Sequence, residues 1–398
     1  ERILRNSDLS LGAAFWVAAG MIRLNTSPQK VAEMVASGEL DVSTLKNVDH
    51  ESVREIMDAV AKKSLKSINT RNNERQSKRQ LVDNEAPLLY VLTATGNVYE
   101  DIFHARAVAD NGGDIVAVIR STAQSLLDYV PYGATTEGFG GTFATQENFR
   151  LMRQALDEWS EKNDRYVRLS SFCSGLCMPE IAVMGALEGL DNMVNDALYG
   201  ILYRDINMIR TLVDQRFSRR VNGYFGITIN TGEDNYLRTA DAIEAAPSVV
   251  ASQLINYELA RASGVPDHLI GIGNAFEIHP GIEDGLLLEI AQAQLTRQLF
   301  PNCPVKFMPP TKHMDGNLFR THANDTLFNL TSILTGQSIQ TLGVPTEGIF
   351  TPHIHDRVLG LECARYVHSF AKHLSDEVSF LPNGKIQNRA NLTKETPC

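Results

Sequence analysis

The segment Ala117–Arg150 carries the densest group of side chains in the sequence that could bind a ligand. It reads as a β-strand, then a loop of more than twenty residues, then a helix. Compact domains rarely keep so long a loop unless it has a function. A cation, hydroxyls and flexible glycines just past a strand suit a phosphate-bearing anion, although a plain glycine-rich surface loop is the alternative. The side chains concerned are Arg120, Ser121, Ser125, Tyr129 and Tyr132.

Polar residues also follow most of the other predicted strands. Each one alone is more often structural than functional, because loops need caps and ion pairs. Together they favour one large site for a charged ligand where the carboxyl ends of the strands meet. They are Ser171 and Ser174, Tyr199 with Arg204 and Asp205, Asn230 with Asp234 and Asn235, Asn274 and Glu277, Lys306, and Thr346 with Glu347.

The first 85 residues read as helical. Apolar residues have helical spacing over Leu11–Leu24, and Ser27 followed by Pro28 predicts the start of another helix. A further helix is predicted through about Val53–Ile68. The polar stretch after it reads as a solvated face, with Arg71, Arg75, Lys78 and Arg79 as its basic residues.

From Ala86 onwards, short apolar runs alternate with amphipathic stretches. This alternation predicts an α/β protein, a (β/α)8 TIM barrel with an N-terminal helical extension, and a doubly wound open sheet is the alternative. The predicted domains are a helical segment 1–85, a catalytic barrel 86–375 and a C-terminal tail 376–398. The predicted strands cover residues 88–94, 114–120, 166–172, 195–201, 223–229, 268–274, 304–310 and 338–344.

The composition, charge and motifs of the sequence argue against several classes of protein. The formal charge of −10 argues against nucleic acid as a partner, and no apolar run is long enough to predict a membrane span. A cytoplasmic protein is expected, because the N-terminus also lacks the pattern of a signal peptide. The five scattered cysteines argue against a disulfide scaffold. No metal site is expected, since the pair His353 and His355 has no further ligand at a telling spacing. Dinucleotide, Walker and serine-hydrolase motifs are absent from the sequence.

Several long runs resemble one known family almost residue for residue. They include the loop segment described first and the runs FCSGLCMPEIAVMGALE, NDALYGILYRDINM, NTGEDNYLRTADA and KFMPPTKHMDGN. The chain is therefore similar, from about Leu11 to Asn391, to the alpha subunits of D-lysine 5,6-aminomutases. Because the family extends further at both ends, the chain is expected to be a fragment with a shortened tail.

The resemblance implies an isomerase of lysine degradation. Its members move the terminal amino group of D-lysine or L-β-lysine from C6 to C5 by a radical mechanism, using pyridoxal 5'-phosphate and adenosylcobalamin. The alpha subunit would hold pyridoxal phosphate in its barrel. A beta subunit would supply the cobalamin domain and the Schiff-base lysine, in an α2β2 hetero-oligomer. The chain lacks the usual cobalt-ligating pattern D-x-H-x-x-G, which agrees with cobalamin being held mainly by the partner.

The resemblance also implies roles for single residues around pyridoxal phosphate. Arg120, Ser125 and Tyr129 would bind its phosphate, since a guanidinium and hydroxyls suit a dianion. Tyr199 would stack on the pyridine ring, and Ser174 would face the ring nitrogen. A serine there cannot keep the nitrogen protonated, and a neutral ring suits a radical migration.

Other residues would contact the substrate or the second cofactor. Asn235 would form a hydrogen bond with the phenolic oxygen of pyridoxal phosphate. Asp234 would bind the distal ammonium group of the substrate, and Lys306 would bind the substrate carboxylate. Arg204 would support this network, with a structural ion pair to Asp205 as the alternative. Glu347 would bind the ribose hydroxyls of the adenosyl group through its carboxylate.

Two other functions stay open. An aminomutase for a shorter diamino acid such as ornithine would need a different distance to the substrate carboxylate, which Lys306 would set. The chain could also be a non-catalytic barrel kept as a scaffold, although its polar strand ends favour a working site.

Overall fold

The computed structural model describes residues 9–80, 87–95, 97–118, 133–135, 138–173, 177–196, 198–204, 206–233 and 243–396, without the side chains of 9, 80, 133–145, 199, 203 and 204. The chain divides into two units, Glu1–Thr70 and Arg71–Cys398. None of the helices in the described ranges is long and apolar enough to cross a membrane.

The first unit is helical, as predicted. It contains α1 (Gly12–Leu24), α2 (Pro28–Ser37) and the first part of α3 (His50–Gln80). The predicted start of α2 is confirmed, because the Ser27 side chain accepts a hydrogen bond from the Lys30 backbone N–H at 3.2 Å. The apolar core of this unit contains Phe15, Trp16, Ala19, Val31, Leu45 and Val53.

The second unit contains a closed barrel of eight parallel strands, which confirms the predicted TIM barrel. Around the barrel the strands follow each other in chain order, and the last pairs with the first. They are β1 (Leu88–Leu92), β2 (Ile115–Val118), β5 (Arg168–Phe172), β6 (Asn192–Val194), β7 (Thr228–Asn230), β8 (Ile270–Asn274), β9 (Val305–Phe307) and β10 (Ile339–Thr341). A separate antiparallel pair, β3 (Gly133–Thr135) and β4 (Gly138–Gly140), follows β2 in the chain.

Helices alternate with the barrel strands along the chain, as the amphipathic stretches predicted. They are α4 (Val98–Asp110), α5 (Gly141–Asn163), α6 (Met178–Glu188), α7 (Leu198–Arg204), α8 (Met208–Phe225), α9 (Ala246–Ala262), α10 (Gly285–Leu299), α11 (Leu318–Leu334), α12 (Ile354–Phe370) and α13 (Lys385–Glu395).

Two strand predictions need correction. The fourth strand lies at Asn192–Val194 rather than 195–201, and most of the predicted segment forms α7. Short runs of Leu, Ile and Tyr suit a helix or a strand equally, so the pattern could not separate them. The fifth strand covers Thr228–Asn230, whereas 223–225 ends α8, which stops at Gly226 with φ 78°.

The basic residues at the end of α3 are not simply a solvated face, contrary to the prediction. Arg75 is only 4% exposed, and its guanidinium donates to the carbonyl oxygens of Leu190 and, at 2.8 Å, of Phe225. It also lies 3.7 Å from the carboxylate of Asp191, which is fully buried. Because Asp191 immediately precedes β6, this part of α3 covers the amino end of the barrel.

The other three basic side chains at the end of α3 are partly exposed and pair with carboxylates. Arg71 and Lys78 lie 3.4 and 3.5 Å from Asp157. Arg79 lies 3.9 Å from Asp191.

Candidate active site

The inward face of the barrel is polar over a large part of its surface. Nζ of Lys306 on β9 lies 4.5 Å from the ring centroid of Tyr90 on β1, and the Tyr90 hydroxyl lies 3.3 Å from Oγ of Ser170 on β5. Since these strands are not neighbours, the three side chains must point into the barrel. Strand register puts Asn192 and Thr228 on the same face. Branched aliphatic side chains usually fill such interiors, so this filling indicates a site for a polar ligand.

β8 contributes no side chain beside Lys306. Its inward positions that pair with Asn230 and Lys306 are Gly271 and Gly273. A Cβ at Gly271 would lie 2.4 Å from the Ile229 carbonyl oxygen, so the glycine there allows β7 and β8 to approach closely. Lys306 is 6% exposed, and its ammonium group lies over the ring of Tyr90. Its expected contact with a substrate carboxylate stays a prediction.

Glu347 lies in the loop after β10, at the mouth of the barrel. It lines a pocket of about 230 Å³ together with Arg357 of α12. The Arg357 guanidinium is buried and donates to the Leu92 carbonyl oxygen at 2.7 Å. Burial lowers the pKa of Arg357, and the nearby carboxylate of Glu347 is the largest effect opposing that shift. An anion and a cation thus face one pocket at the end of β1 and β10.

A second carboxyl group lies behind this pocket. Asp325 on α11 is 1% exposed, and burial followed by repulsion from Glu347 raises its pKa well above the usual range. Of the two carboxyl groups, Glu347 is the one that borders the pocket. A side chain at Gly343 would clash with Asp325, because a Cβ there would lie 2.0 Å from its Oδ1.

Two residues predicted at the mouth serve other contacts. The Asn274 side chain accepts a hydrogen bond from Thr296 of α10 at 3.3 Å, so it faces the helix layer rather than the interior. Glu277 accepts a hydrogen bond from Thr311 at 2.8 Å and lies 3.9 Å from Lys312, which ties together the loops after β8 and β9.

The histidine pair that raised the question of a metal belongs to a helix terminus. His353 caps the start of α12 in a capping box with Asp356, and His355 lies 3.1 Å from the same carboxylate. Within the described ranges, no group of three or more His, Cys, Asp or Glu side chains could hold a metal ion.

Most of the predicted site residues lie outside the described residues. These are Arg120, Ser125, Tyr129, Ser174, Asp234 and Asn235. Tyr199 and Arg204 belong to α7, but their side chains are likewise outside the description. Of the ten predicted site residues, Lys306 and Glu347 are thus the two whose side chains the structure places.

Sequence reasoning missed two features of this end of the barrel. One is Arg357, which lies in a helix and reaches the pocket only through the packing of α12 against β1. The other is a set of buried polar residues on α8 and α9. A signal for it was present, since α8 turns polar residues inward and exposes apolar ones such as Ile209 and Phe217.

Comparison with known proteins gives consistent matches. A sequence profile for one family, described as the D-lysine 5,6-aminomutase TIM-barrel domain of the alpha subunit, matches residues 1–396. The chain is 51% identical over 396 residues to the lysine 5,6-aminomutase alpha subunit of Acetoanaerobium sticklandii, covering 99% of this chain and 76% of that one. It is 52% identical over 387 residues to the alpha subunit of the same name from Fusobacterium nucleatum, covering 97% and 75%. A lower identity of 30% over 272 residues relates it to the D-ornithine 4,5-aminomutase subunit beta of A. sticklandii, covering 68% and 36%.

Proposed function

Because this chain belongs to the family of D-lysine 5,6-aminomutase alpha-subunit TIM-barrel domains, we propose that it is the pyridoxal-phosphate-holding subunit of an adenosylcobalamin-dependent isomerase. The reaction would move the terminal amino group of D-lysine or L-β-lysine from C6 to C5 in lysine degradation. The observation that carries this proposal is the match along nearly the whole chain. The polar barrel interior around Lys306 gives it physical support.

The donor set of the chain fits pyridoxal phosphate. Arg120, Ser125 and Tyr129 offer a guanidinium and two hydroxyls for a dianion. The inward face adds the buried ammonium of Lys306. The chemistry that the two cofactors supply is temporary attachment of the migrating amino group and generation of the radical that starts the rearrangement.

Three further side chains would set the electronic state and position of the cofactor ring. Ser174 would face the ring nitrogen without holding a proton on it, which a carboxylate would do. Tyr199 would pack against the ring face, at about 1 kcal/mol for an offset aromatic pair. Asn235 would hydrogen-bond the phenolic oxygen.

The substrate would be held at its two charged ends. Lys306 would bind the carboxylate, and Asp234 would bind the distal ammonium. Arg204 would support this arrangement, with a structural pair to Asp205 as the alternative. Two opposite charges at fixed strand ends select substrates by length, because a shorter molecule cannot reach both.

Glu347 would accept hydrogen bonds from the ribose hydroxyls of the adenosyl group. Its place on a pocket at the mouth of the barrel supports this role, since a second domain could approach from that side. Arg357, on the same pocket, attracts this carboxylate.

The enzyme would be completed by a beta subunit. That partner would carry the cobalamin domain and the lysine that holds pyridoxal phosphate covalently, in an α2β2 assembly. The designation of the relatives as alpha subunits supports a second kind of subunit. A step of lysine degradation would also place the protein in the cytoplasm.

Reconstitution tests this proposal. The chain, the partner subunit, pyridoxal phosphate and adenosylcobalamin are mixed with D-lysine or L-β-lysine, and the amino acids are separated by chromatography. We expect the 5-amino isomer to form only when both cofactors and both subunits are present. If the absorbance of bound pyridoxal phosphate and the product are both absent, the scaffold function is favoured.

The same assay with D-ornithine addresses the alternative substrate. The relation to a D-ornithine aminomutase subunit makes this comparison specific. Preference for D-ornithine over both lysines in kcat/KM would replace the proposed substrate while keeping the type of reaction.

A further inference from the structure

Four buried polar residues form a continuous hydrogen-bonded path behind the mouth of the barrel. Nδ2 of Asn195 donates to the Cys173 carbonyl oxygen at 3.1 Å. Nε of Arg219 donates to Oδ1 of Asn195 at 3.0 Å, and its Nη2 donates to Oδ1 of Asn256 at 2.8 Å. Nδ2 of Asn256 then donates to Oε1 of Glu233 at 2.7 Å. We call Asn195, Arg219, Asn256 and Glu233 the buried polar chain.

Stability alone does not account for the buried polar chain. All four of its residues are 0% exposed, although two of them are ionisable. Removing such charges from water is costly, and apolar residues of similar volume are often as stable in their place. The orientation of α8 is also the reverse of that usual for a surface helix, because it buries the polar residues Arg219 and Gln215. Its apolar residues Ile209, Val213 and Phe217 are 72%, 63% and 51% exposed.

The two ends of the buried polar chain coincide with two predicted parts of the site. Cys173 follows β5 and is the residue before Ser174. Glu233 follows β7 and is the residue before Asp234 and Asn235. A second contact fixes the Glu233 end, because its other carboxylate oxygen accepts a hydrogen bond from the side chain of Thr231.

We propose that the buried polar chain positions the segments after β5 and β7 relative to each other, with Asn256 as the link between them. The inference rests on the proposed function, which gives Ser174 and Asn235 their roles at one cofactor ring. Its residues are positioning residues, because they act on the ligand through the backbone at Cys173 and Glu233.

The amide of Asn256 suits this link better than any other side chain of its size. It turns an oxygen towards the Arg219 cation and a donor towards the Glu233 carboxylate. A leucine offers neither group. An aspartate keeps the acceptor but faces Glu233 with a second negative charge, unless it carries a proton that it can donate.

Hydrogen exchange of the full-length chain without cofactor measures the positioning directly. In Asn256→Leu we expect backbone amides to exchange about tenfold faster at both 171–173 and 231–233, because a hydrogen bond to a charged group is lost at the link. Amides of β9 and β10 should keep their exchange rates. In Asn256→Asp the same increase should appear at pH 8 and shrink at pH 5.5, after correction for intrinsic exchange, as the introduced carboxyl gains its proton.

Asn222→Leu is the matched control. Asn222 lies on the same helix as Arg219, is fully buried, and its side-chain amide has no hydrogen-bond partner among the described residues. This variant should leave exchange at both ends unchanged. If Asn256→Leu does not fold, Asn256→Asp at two pH values provides the comparison within one folded protein.

The affinity for pyridoxal phosphate, measured by absorbance titration of the complex with its partner, gives the second readout. We expect the dissociation constant to rise about tenfold in Asn256→Leu and to stay constant in Asn222→Leu. Faster exchange at one end alone, or equally throughout the barrel, would overturn the positioning role, as would an unchanged affinity. If the unmodified complex binds no pyridoxal phosphate, the proposed function fails, and the exchange result still decides whether Asn256 links the two segments.

Discussion

At the scale of single residues, Lys306 gives the most direct test of substrate binding. Lys306→Met removes the ammonium group that lies over the Tyr90 ring and keeps an unbranched apolar side chain. We expect KM for D-lysine to rise about tenfold or more with pyridoxal phosphate still bound, because a hydrogen bond to a charged group is lost. Steady-state kinetics of the reconstituted complex measure this. An unchanged KM together with a lower melting temperature would limit Lys306 to a role in the fold.

Ser174 tests the proposed neutral ring. Ser174→Asp would place a carboxylate at the ring nitrogen and favour its protonation, so we expect slower rearrangement with nearly unchanged cofactor affinity. Turnover and the absorption spectrum of the complex are the measurements, and Ser174→Ala is the control without charge. Full turnover in the aspartate variant would contradict the argument.

Positions in or soon after a predicted strand could be located from sequence, whereas positions that depend on helix packing could not. Lys306 lies within β9 and Glu347 follows β10 in the chain, and the structure places the first inside the barrel and the second on a pocket at its mouth. Arg357 reaches the same pocket from α12, over 260 residues away in sequence from its acceptor on Leu92. No local pattern reports such a contact.

At the scale of elements, α3 provides a test of how the amino end of the barrel is held. Arg75→Met removes a buried guanidinium that faces Asp191 and two backbone carbonyls. We expect the free energy of unfolding to fall by about 3 kcal/mol, since a buried charge loses a partner. Urea denaturation measures this, and Arg54→Met, an exposed position on the same helix, should change stability by less than about 0.5 kcal/mol.

Seven of the eight barrel strands were located approximately because each overlaps a short run of apolar residues bounded by turns. The errors arose in segments whose amino-acid composition does not match their structural environment. The run at 198–204 is apolar but helical, and the basic end of α3 is polar but partly buried. The inverted face of α8 is a further case, because its buried Arg219 hydrogen-bonds to Asn195 and Asn256 on neighbouring parts of the barrel.

At the scale of the whole molecule, buried carboxyl groups make stability depend on pH. Burial raises the pKa of Glu289 to about 8, well above its value in an unfolded chain. The folded state therefore holds a proton that the unfolded state releases, and stability falls as the pH rises towards 8. Between pH 6.5 and 8 we expect Glu289→Gln to reduce this slope, by up to about 1.4 kcal/mol per pH unit.

Urea denaturation at several pH values tests this dependence. Burial lowers the pKa values of His104, His313 and His368, and their contribution to stability has the opposite sign. Because both proteins share these histidines, the difference between the two slopes isolates Glu289. The Gln side chain can still accept the hydrogen bond that Ile278 donates to Glu289 at 2.9 Å. A slope identical in both proteins would assign the pH dependence to other groups.

The hydrophilic filling of the barrel bears on how cells keep this polypeptide intact. A core with fewer aliphatic side chains gains less free energy of folding from the burial of apolar surface. A small molecule bound tightly inside the barrel should therefore contribute much of the stability against unfolding. Cells that produce this chain should then accumulate less intact polypeptide when starved of pyridoxine than when supplemented, as immunoblots after arrest of translation would show. Vitamin supply would in this way set the lifetime of the catalyst as well as its rate.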